Sequence, residues 1–151
     1  MAVIKTQGTN VYARKGSTVT LLTCLTGIDL GGDSTTRIEN TCIDEATSKA
    51  YLSGLSDPGE GSLTFNIDTS NTSHLSLITW AQAKDEGIEF FVGASDGLGV
   101  IATTGSPPTT RSWWSFVGGV STPVPSFEAD SIVGYTVTLQ RSSSLTFSPK
   151  A

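Results

Sequence analysis

The stretch GASDG, residues 93–97, matches the G-x-S-x-G pattern in which a serine nucleophile occupies a sharp turn. A hydrolase of this kind needs a strand–turn–helix context and a histidine later in the chain as its base. The only histidine, His74, precedes Ser95, and no helical pattern follows Ser95. We therefore interpret the motif as a turn between strands at residues 88–94 and 99–104. A hydrolase centred on Ser95 is the least favoured alternative, and we predict that the chain is not an enzyme.

Two further motifs suggest ligand chemistry but lack the context that it requires. GLGVIA, residues 97–102, resembles a dinucleotide-binding loop, yet that fold needs repeated strand–helix units and this sequence predicts one helix. Asp29 and Asp33 could begin a calcium loop, but the bidentate glutamate that completes such a loop is missing at the required spacing. With one histidine and no paired-cysteine motif, we predict neither a metal site nor a cofactor.

Trp113 and Trp114 form an adjacent aromatic pair that could stack on a sugar ring or a base. A carbohydrate-binding β-sandwich, with Tyr51 as a third contact, is therefore the alternative function that we keep. Adjacent strand residues point to opposite faces of a sheet, so the two indoles cannot easily serve one ligand. We favour a structural role, with Trp114 in the core and Trp113 on the opposite sheet face or in a subunit contact.

The composition describes a strand-rich chain with an acidic middle. Its 151 residues include 42 serines and threonines and 16 glycines, which is typical of many short strands and turns. The net charge is −5, and residues 29–68 carry eight acids against Arg37 and Lys49. Such a surface does not bind phosphate backbones, because that binding needs lysine and arginine. The length suits one domain, residues 1–151.

Targeting and cysteine signals are weak. No apolar run approaches the roughly 18 residues of a membrane span, and the first ten residues lack an apolar signal core, so we expect no membrane insertion. Cys24 and Cys42 are the only cysteines. Without a secretion signal, we predict that they are buried thiols and not a disulfide framework.

Period-two alternation predicts a mainly β fold, a sandwich or barrel of short strands. In residues 62–68, Leu63, Phe65 and Ile67 alternate with polar side chains, and in residues 17–26 Val19, Leu21 and Leu25 are predicted to share one face. The remaining strand candidates span residues 37–43, 88–94, 99–104, 111–121, 132–141 and 145–147.

One segment has helical spacing. Asn71, Thr72 and Ser73 are all good N-cap residues, and they precede apolar residues at Leu75, Ile78 and Ala81. Gly87 fits a helix end. The sequence therefore predicts one short helix, from about Ser73 to Lys84, that lies against the sheets.

The order of these segments resembles the major tail tube protein family of long-tailed bacteriophages with non-contractile tails. The resemblance rests on GTNVY (residues 8–12), RIENTCIDEAT (37–47), LSGLSDPGEGSLTFNID (52–68), IEFFVG (88–93) and the closing stretch at residues 113–142. It implies a β-sandwich of two roughly orthogonal sheets flanked by one helix, without the C-terminal immunoglobulin-like domain of some relatives.

The resemblance also implies a structural role. Six copies would form a ring, and stacked rings would form a hollow tube around the tape-measure protein, closed by terminator and tip proteins. The tube would be assembled in the bacterial cytoplasm, belong to the virion tail and conduct double-stranded DNA without binding it.

The long glycine-containing segment at residues 44–61 is then expected to be an assembly arm that orders on a neighbouring copy. We interpret residues 51–61 as a loop, because Gly54, Pro58 and Gly59 disfavour regular structure. Acids facing the lumen would repel DNA, and we name Glu39 and Asp68, the latter as the polar end of a strand. The predicted interface residues are Asp44, Glu45, Tyr51, Leu52, Leu55, Asp57, Pro58 and Glu60.

Overall fold

The computed structural model describes residues 3–151, which form eleven β-strands and one α-helix. A mainly β fold with one helix, as the sequence predicts, is confirmed. The elements are β1 (Asn10–Lys15), β2 (Thr18–Leu22), β3 (Leu25–Asp29), β4 (Ser34–Glu39), β5 (Tyr51–Asp57), β6 (Glu60–Asn66), α1 (Thr72–Ala83), β7 (Ile88–Gly93), β8 (Trp113–Val120), β9 (Val124–Ser126), β10 (Gly134–Arg141) and β11 (Thr146–Ser148).

Nine of the strands form one continuous antiparallel sheet. Its strand order is β2-β1-β7-β8-β10-β6-β3, with β11 paired to β8 and β9 paired to β10 beside this path. The strands β4 and β5 pair only with each other and form a separate small sheet. The sequence patterns therefore located most strands, but missed β5 and the short β9.

The two ends of the large sheet meet at a corner. β2 and β3 lie at opposite ends of the strand order, yet only Thr23 and Cys24 separate them in the chain. The left-handed backbone of Cys24, with φ of 57°, turns the chain between them. The sheet thus curls back on itself like an open barrel, and the single strand predicted at residues 17–26 is wrong. Leu22, and not Leu21, is the buried leucine of β2.

The helix begins at this corner and holds it. The carbonyl of Thr23 accepts from His74 Nε2 at 2.9 Å, and the Thr23 hydroxyl accepts from Asn71 Nδ2 at 2.8 Å. Asn71 caps the helix, because its side chain accepts from the backbone N–H of Ser73 at 3.0 Å. His74 therefore has a structural role that the sequence does not reveal, since its buried ring joins the helix to the sheet.

The helix otherwise matches the prediction to within one residue at each end, although its buried face differs. It ends at Lys84, which adopts a left-handed conformation, three residues before the predicted stop at Gly87. Leu75 is 43% exposed, whereas Leu77 and Trp80 are buried against the sheet.

Apolar side chains from both halves of the sheet fill one main core under this helix. Phe90 of β7 and Phe116 of β8 stack with ring centroids 5.2 Å apart. Leu63 and Phe65 are buried as the alternation in β6 predicts, while Ile67 is only partly buried. A shared core of this size explains how one sheet can fold over on itself without a disulfide.

A second, smaller cluster covers the other face of the sheet. It contains Tyr12, Phe91, Ile101 and Trp113, and residues 94–112 fold over it. Those residues contain no strand, so the prediction of a strand at 99–104 and of a hairpin turn at GASDG is wrong. β7 instead pairs directly with β8 across this long connection.

A candidate assembly arm and its surroundings

The residues expected to form a loop instead form a two-stranded ribbon. β5 pairs with β4 in a register that sets Ile38 opposite Leu52 and Glu39 opposite Tyr51. The two strands approach so closely at Gly54 that a β-carbon added there would lie 2.9 Å from the carbonyl oxygen of Thr36, so glycine suits this strand position. The loop predicted across residues 51–57 is therefore wrong; a turn remains only at residues 58–59. We call residues 34–57 the arm.

Both faces of the arm present apolar side chains. Partners opposite each other share a face, so Ile38 and Leu52 lie on one side and Tyr51 lies on the other. The register shifts between Thr35 and Arg37, and Ser56 lies opposite Thr35. Leu55 therefore lies on the side of Ile38 and Leu52. Leu55 is 90% exposed and Leu52 55% exposed. The guanidinium of Arg37 lies 3.9 Å from the centre of the Tyr51 ring, which holds that ring in place.

Little of the chain covers this ribbon. Among residues 3–151, no other strand or helix packs extensively on β4 or β5. An isolated two-stranded hairpin is marginally stable in water, and exposed apolar area on a hairpin is typical of an interaction surface. The arm is thus an element whose own chain provides no core for it.

The tip of the arm, residues 40–50, is fastened across its base by backbone bonds. Asn40 N–H donates to the Ala50 carbonyl at 2.8 Å. The pKa of Glu45 is lowered, because its carboxylate accepts from the hydroxyl of Thr47 and from nearby backbone N–H groups. Asp44 is exposed beside it, and so are the predicted interface acids Asp57 and Glu60 at the other end of the arm.

Two short stems join the arm to the large sheet. We define them as residues 31–33, which enter β4, and residues 58–59, which leave β5. Their backbones touch: a β-carbon added at Gly59 would lie 2.0 Å from the carbonyl oxygen of Gly32. Only glycine permits so close an approach. Pro58, a predicted interface residue, lies half-buried at this crossing.

The two acids named for the lumen lie on different elements. Glu39 ends β4, where it is exposed and 4.0 Å from Lys49 Nζ. Asp68 is exposed in the turn before α1, two residues after β6 ends, so the expectation that it ends a strand is wrong. The pKa of Asp68 is lowered, because its carboxylate accepts from the hydroxyl and backbone N–H of Ser70.

The groups tested for catalysis have other partners. Ser95 donates its hydroxyl hydrogen bond to the Lys5 carbonyl. Both ring nitrogens of His74 bond to the backbone, at Asp68 and Thr23. The neighbouring Asp96 accepts from Ser112, whose hydroxyl lowers the pKa of that carboxylate. No nucleophile and base of the G-x-S-x-G type meet within residues 3–151.

The tryptophan pair does not form a ligand platform. The two indoles lie on opposite faces of β8, as predicted, but the more buried one is Trp113, which is 1% exposed and donates Nε1–H to the Pro108 carbonyl at 2.9 Å. Trp114 packs on Phe147 with ring centroids 5.1 Å apart.

Both cysteines are free and exposed, Cys24 at the β2–β3 corner and Cys42 in the tip of the arm, so the prediction of buried thiols is wrong. Across residues 3–151 no cluster of three or more His, Cys, Asp or Glu side chains could hold a metal ion. Over the same residues, no helix has the length and apolarity that a membrane crossing requires.

Sequence reasoning missed two exposed residues of the arm. Ile38 is 52% exposed opposite Leu52, and Ile43 is fully exposed in the tip. The signal was available for Ile38, because a strand at residues 37–43 followed by apolar residues 51–55 could have been paired as a hairpin.

Comparison with known proteins identifies a matching family and a related phage protein. The model of a phage tail tube protein family described as lambda-like matches residues 2–151. Structural protein 3 of Pseudomonas phage PAJU2 is 29% identical over 164 residues, an alignment that covers 99% of this chain and 96% of that protein.

Solved structures share the fold at low sequence identity. A chain from the sheath–tube complex of the extracellular contractile injection system PVC, in the extended state, superposes with a TM-score of 0.65 at 16% identity; the match covers 97% of this chain and 92% of that chain. The tail tube of SPP1 superposes with a TM-score of 0.62 at 13% identity, covering 97% and 80% respectively.

Proposed function

The chain belongs to the lambda-like phage tail tube family, and we propose that six copies form a ring and that stacked rings form the hollow tube of the tail. Family membership makes it a structural protein of the bacteriophage virion tail. In the proposed assembly, the tube surrounds a tape-measure protein, binds terminator and tip proteins at its ends, and later conducts double-stranded DNA. Assembly takes place in the cytoplasm of the bacterial host.

The observation that supports assembly through the arm is its uncovered apolar surface on both faces. Two groups of apolar side chains have no core of their own to join: Ile38, Leu52 and Leu55 on one face, and Tyr51 on the other. A ribbon inserted between neighbouring copies would bury all four side chains. The acids near its ends, Asp44 and Glu45 at the tip and Asp57 and Glu60 at the stem, are then available to pair with basic residues of a neighbour.

The acidic region supports a conduit that does not bind its cargo. Residues 29–68 carry eight of the 14 acids of the chain. In the proposed tube, Glu39 and Asp68 face the lumen, where negative charge repels the phosphate backbone of passing DNA.

The test is electron microscopy with sedimentation of the purified protein over a range of concentration. The wild type is expected to form hollow tubes or six-fold rings. In a matched variant, a short Gly-Ser linker replaces residues 34–57; the stems already touch at Gly32 and Gly59, so such a linker closes without strain. This variant is expected to remain a folded monomer. Normal tubes from it would contradict the assignment of the arm.

A further inference from the structure

Arg141 carries a charge into the interior of the protein. It is the last residue of β10, and its side chain is 0% exposed. A buried guanidinium is unfavourable unless acceptors surround it. Nη2 pairs with the carboxylate of Asp33, and Nε donates to the carbonyl of Gly59 at 3.2 Å. Among residues 3–151, Nη1 has no acceptor, so the contacts with Asp33 and Gly59 are the ones that offset the cost of burying the charge.

The two acceptors lie on the two stems of the arm. Asp33 immediately precedes β4, and Gly59 is two residues beyond the last residue of β5. Arg141 belongs to the large sheet, where β10 lies between β6 and β8. One guanidinium therefore ties both stems to the body of the protein.

The stems have few other means of fixing the direction of the arm. They contact each other backbone to backbone at Gly32 and Gly59, and the β-carbon position of Gly31 lies only 2.1 Å from the carbonyl oxygen of Glu60 at the start of β6. Gly31, Gly32 and Gly59 contribute no side chain that could wedge the arm at one angle, and glycine backbones bend readily. The polar contact from Arg141 is the side-chain interaction that spans this crossing.

We propose that Arg141 is a positioning residue, and that its contacts with Asp33 and Gly59 form a clasp that fixes the direction of the arm before a second copy binds it. The clasp is inferred from this chain alone, whereas its role in assembly rests on the proposed function. An arm with a preset direction loses less conformational freedom on docking, which favours tube growth.

The two native cysteines provide the measurement. Cys24 lies on the body and Cys42 at the tip of the arm, and both are exposed and free. Pulsed electron paramagnetic resonance between spin labels on these two thiols measures the distance from the body to the arm. The distances are measured on unassembled protein, at a concentration below that at which rings or tubes sediment. No neighbouring copy then holds the arm, so a failure of the clasp is distinguishable from a failure of assembly.

Asp33→Asn removes the negative charge that faces Arg141. The Asp33 side chain is 30% exposed, so the substitution does not create a cavity in the core. It is expected to broaden and shift the distance distribution. Because it leaves the buried guanidinium without its charge partner, it is also expected to lower the thermal midpoint, so the distances are measured well below that midpoint, where the body stays folded. Asp33→Glu, which restores the carboxylate, is expected to restore the wild-type distribution. Glu39→Gln is the matched control, since it removes an exposed charge pair within the arm without touching the stems.

An unchanged distribution in Asp33→Asn overturns the clasp. Equal broadening in Glu39→Gln also overturns it, because the arm would then respond to any loss of charge. Arg141→Lys is the second variant: it keeps the charge and loses the two-armed geometry. It is expected to broaden the distribution as Asp33→Asn does, and a wild-type distribution from a folded Arg141→Lys protein would equally reject the proposal.

Discussion

Asp96 connects the long segment after β7 to the beginning of β8. Its carboxylate accepts from the backbone N–H of Ser112 at 3.0 Å and from the Ser112 hydroxyl at 2.6 Å. These bonds are made to the ionised form, and they lower the pKa of Asp96 in the folded state. The Asp96 carboxylate therefore stabilises the fold when it is ionised.

The stability that the Asp96 carboxylate contributes depends on pH. A carboxylate whose pKa is lowered by folding contributes stability above its unfolded pKa, and that contribution is lost as the pH falls through the folded pKa. We expect Asp96→Asn to lower the free energy of unfolding near neutral pH and to lose less stability than the wild type between about pH 5 and about pH 2. Urea unfolding at a series of pH values measures both effects. Ser112→Ala should produce the same flattening; a wild-type pH profile in both variants would contradict the assignment.

Individual residues were the hardest features to predict from the sequence. Asp96 was visible only as part of a turn, because its partner Ser112 is 16 positions away. His74 looked like a helix-start residue, and its buried contact with Thr23 depends on a corner that no local pattern reveals. Cys24 and Cys42 were expected to be buried because the sequence shows no secretion signal, but both lie exposed at turns of the chain.

At the scale of elements, the start of the helix does two tasks at once. The side chain of Asn71 accepts from Ser73 N–H and donates to the hydroxyl of Thr23. Asn71→Ala removes both bonds, so we expect a loss of about 1–2 kcal/mol in the free energy of unfolding. Asn71→Asp keeps the acceptor and should lose less. Equilibrium urea unfolding compares the two, and equal stability of wild type and Asn71→Ala would show that the cap does not hold the corner.

A substitution on the exposed surface of the arm should impair tube assembly without changing the stability of the fold. Leu55 is 90% exposed, so Leu55→Ser is expected to change the free energy of unfolding by less than about 0.5 kcal/mol, as is usual for surface sites. Tube formation should nevertheless be lost or strongly weakened. Leu98→Ser changes a leucine that is 87% exposed on a different loop, and its tubes should be normal. Electron microscopy gives the comparison, and an arm without a role would leave both variants equally competent.

Elements with one buried face were predictable from sequence, and elements without one were not. β6 and β10 alternate because one face of each packs on the core, and both were located from the sequence, with Leu63 and Phe65 buried as predicted. β5 exposes apolar residues on both faces and contains Gly54, so its pattern resembled a loop. The prediction of an assembly segment at residues 44–61 came from the resemblance, while the ribbon structure of residues 51–57 required the pairing with β4.

At the scale of the whole molecule, the fold combines a body that has its own core with an arm on which no other strand or helix of residues 3–151 packs extensively. The body buries its apolar residues between a curled sheet and one helix, and the corner at Thr23 holds the ends of that sheet together. The arm leaves this body through two glycine-containing stems that Arg141 ties down. In the proposed tube, such a subunit would fold before it assembles and would present the apolar side chains of the arm to its neighbours.

Charge is the remaining property that acts at this scale. A lumen lined by acids repels DNA, and each ring of the proposed tube repeats every charge six times. Asp68→Lys and Glu39→Lys, tested separately, are expected to make assembled tubes retain short duplex DNA at low salt and release it as the salt rises, because each new lysine contacts phosphate. Fluorescence anisotropy of labelled DNA, after microscopy has confirmed intact tubes, measures retention.

Glu128→Lys makes the same change of charge at another exposed site. If Glu128→Lys tubes retain as much DNA, net charge alone explains the binding and neither acid lines the lumen. Retention by only one of the two variants would identify the lumen-facing element as the arm or as the turn before α1.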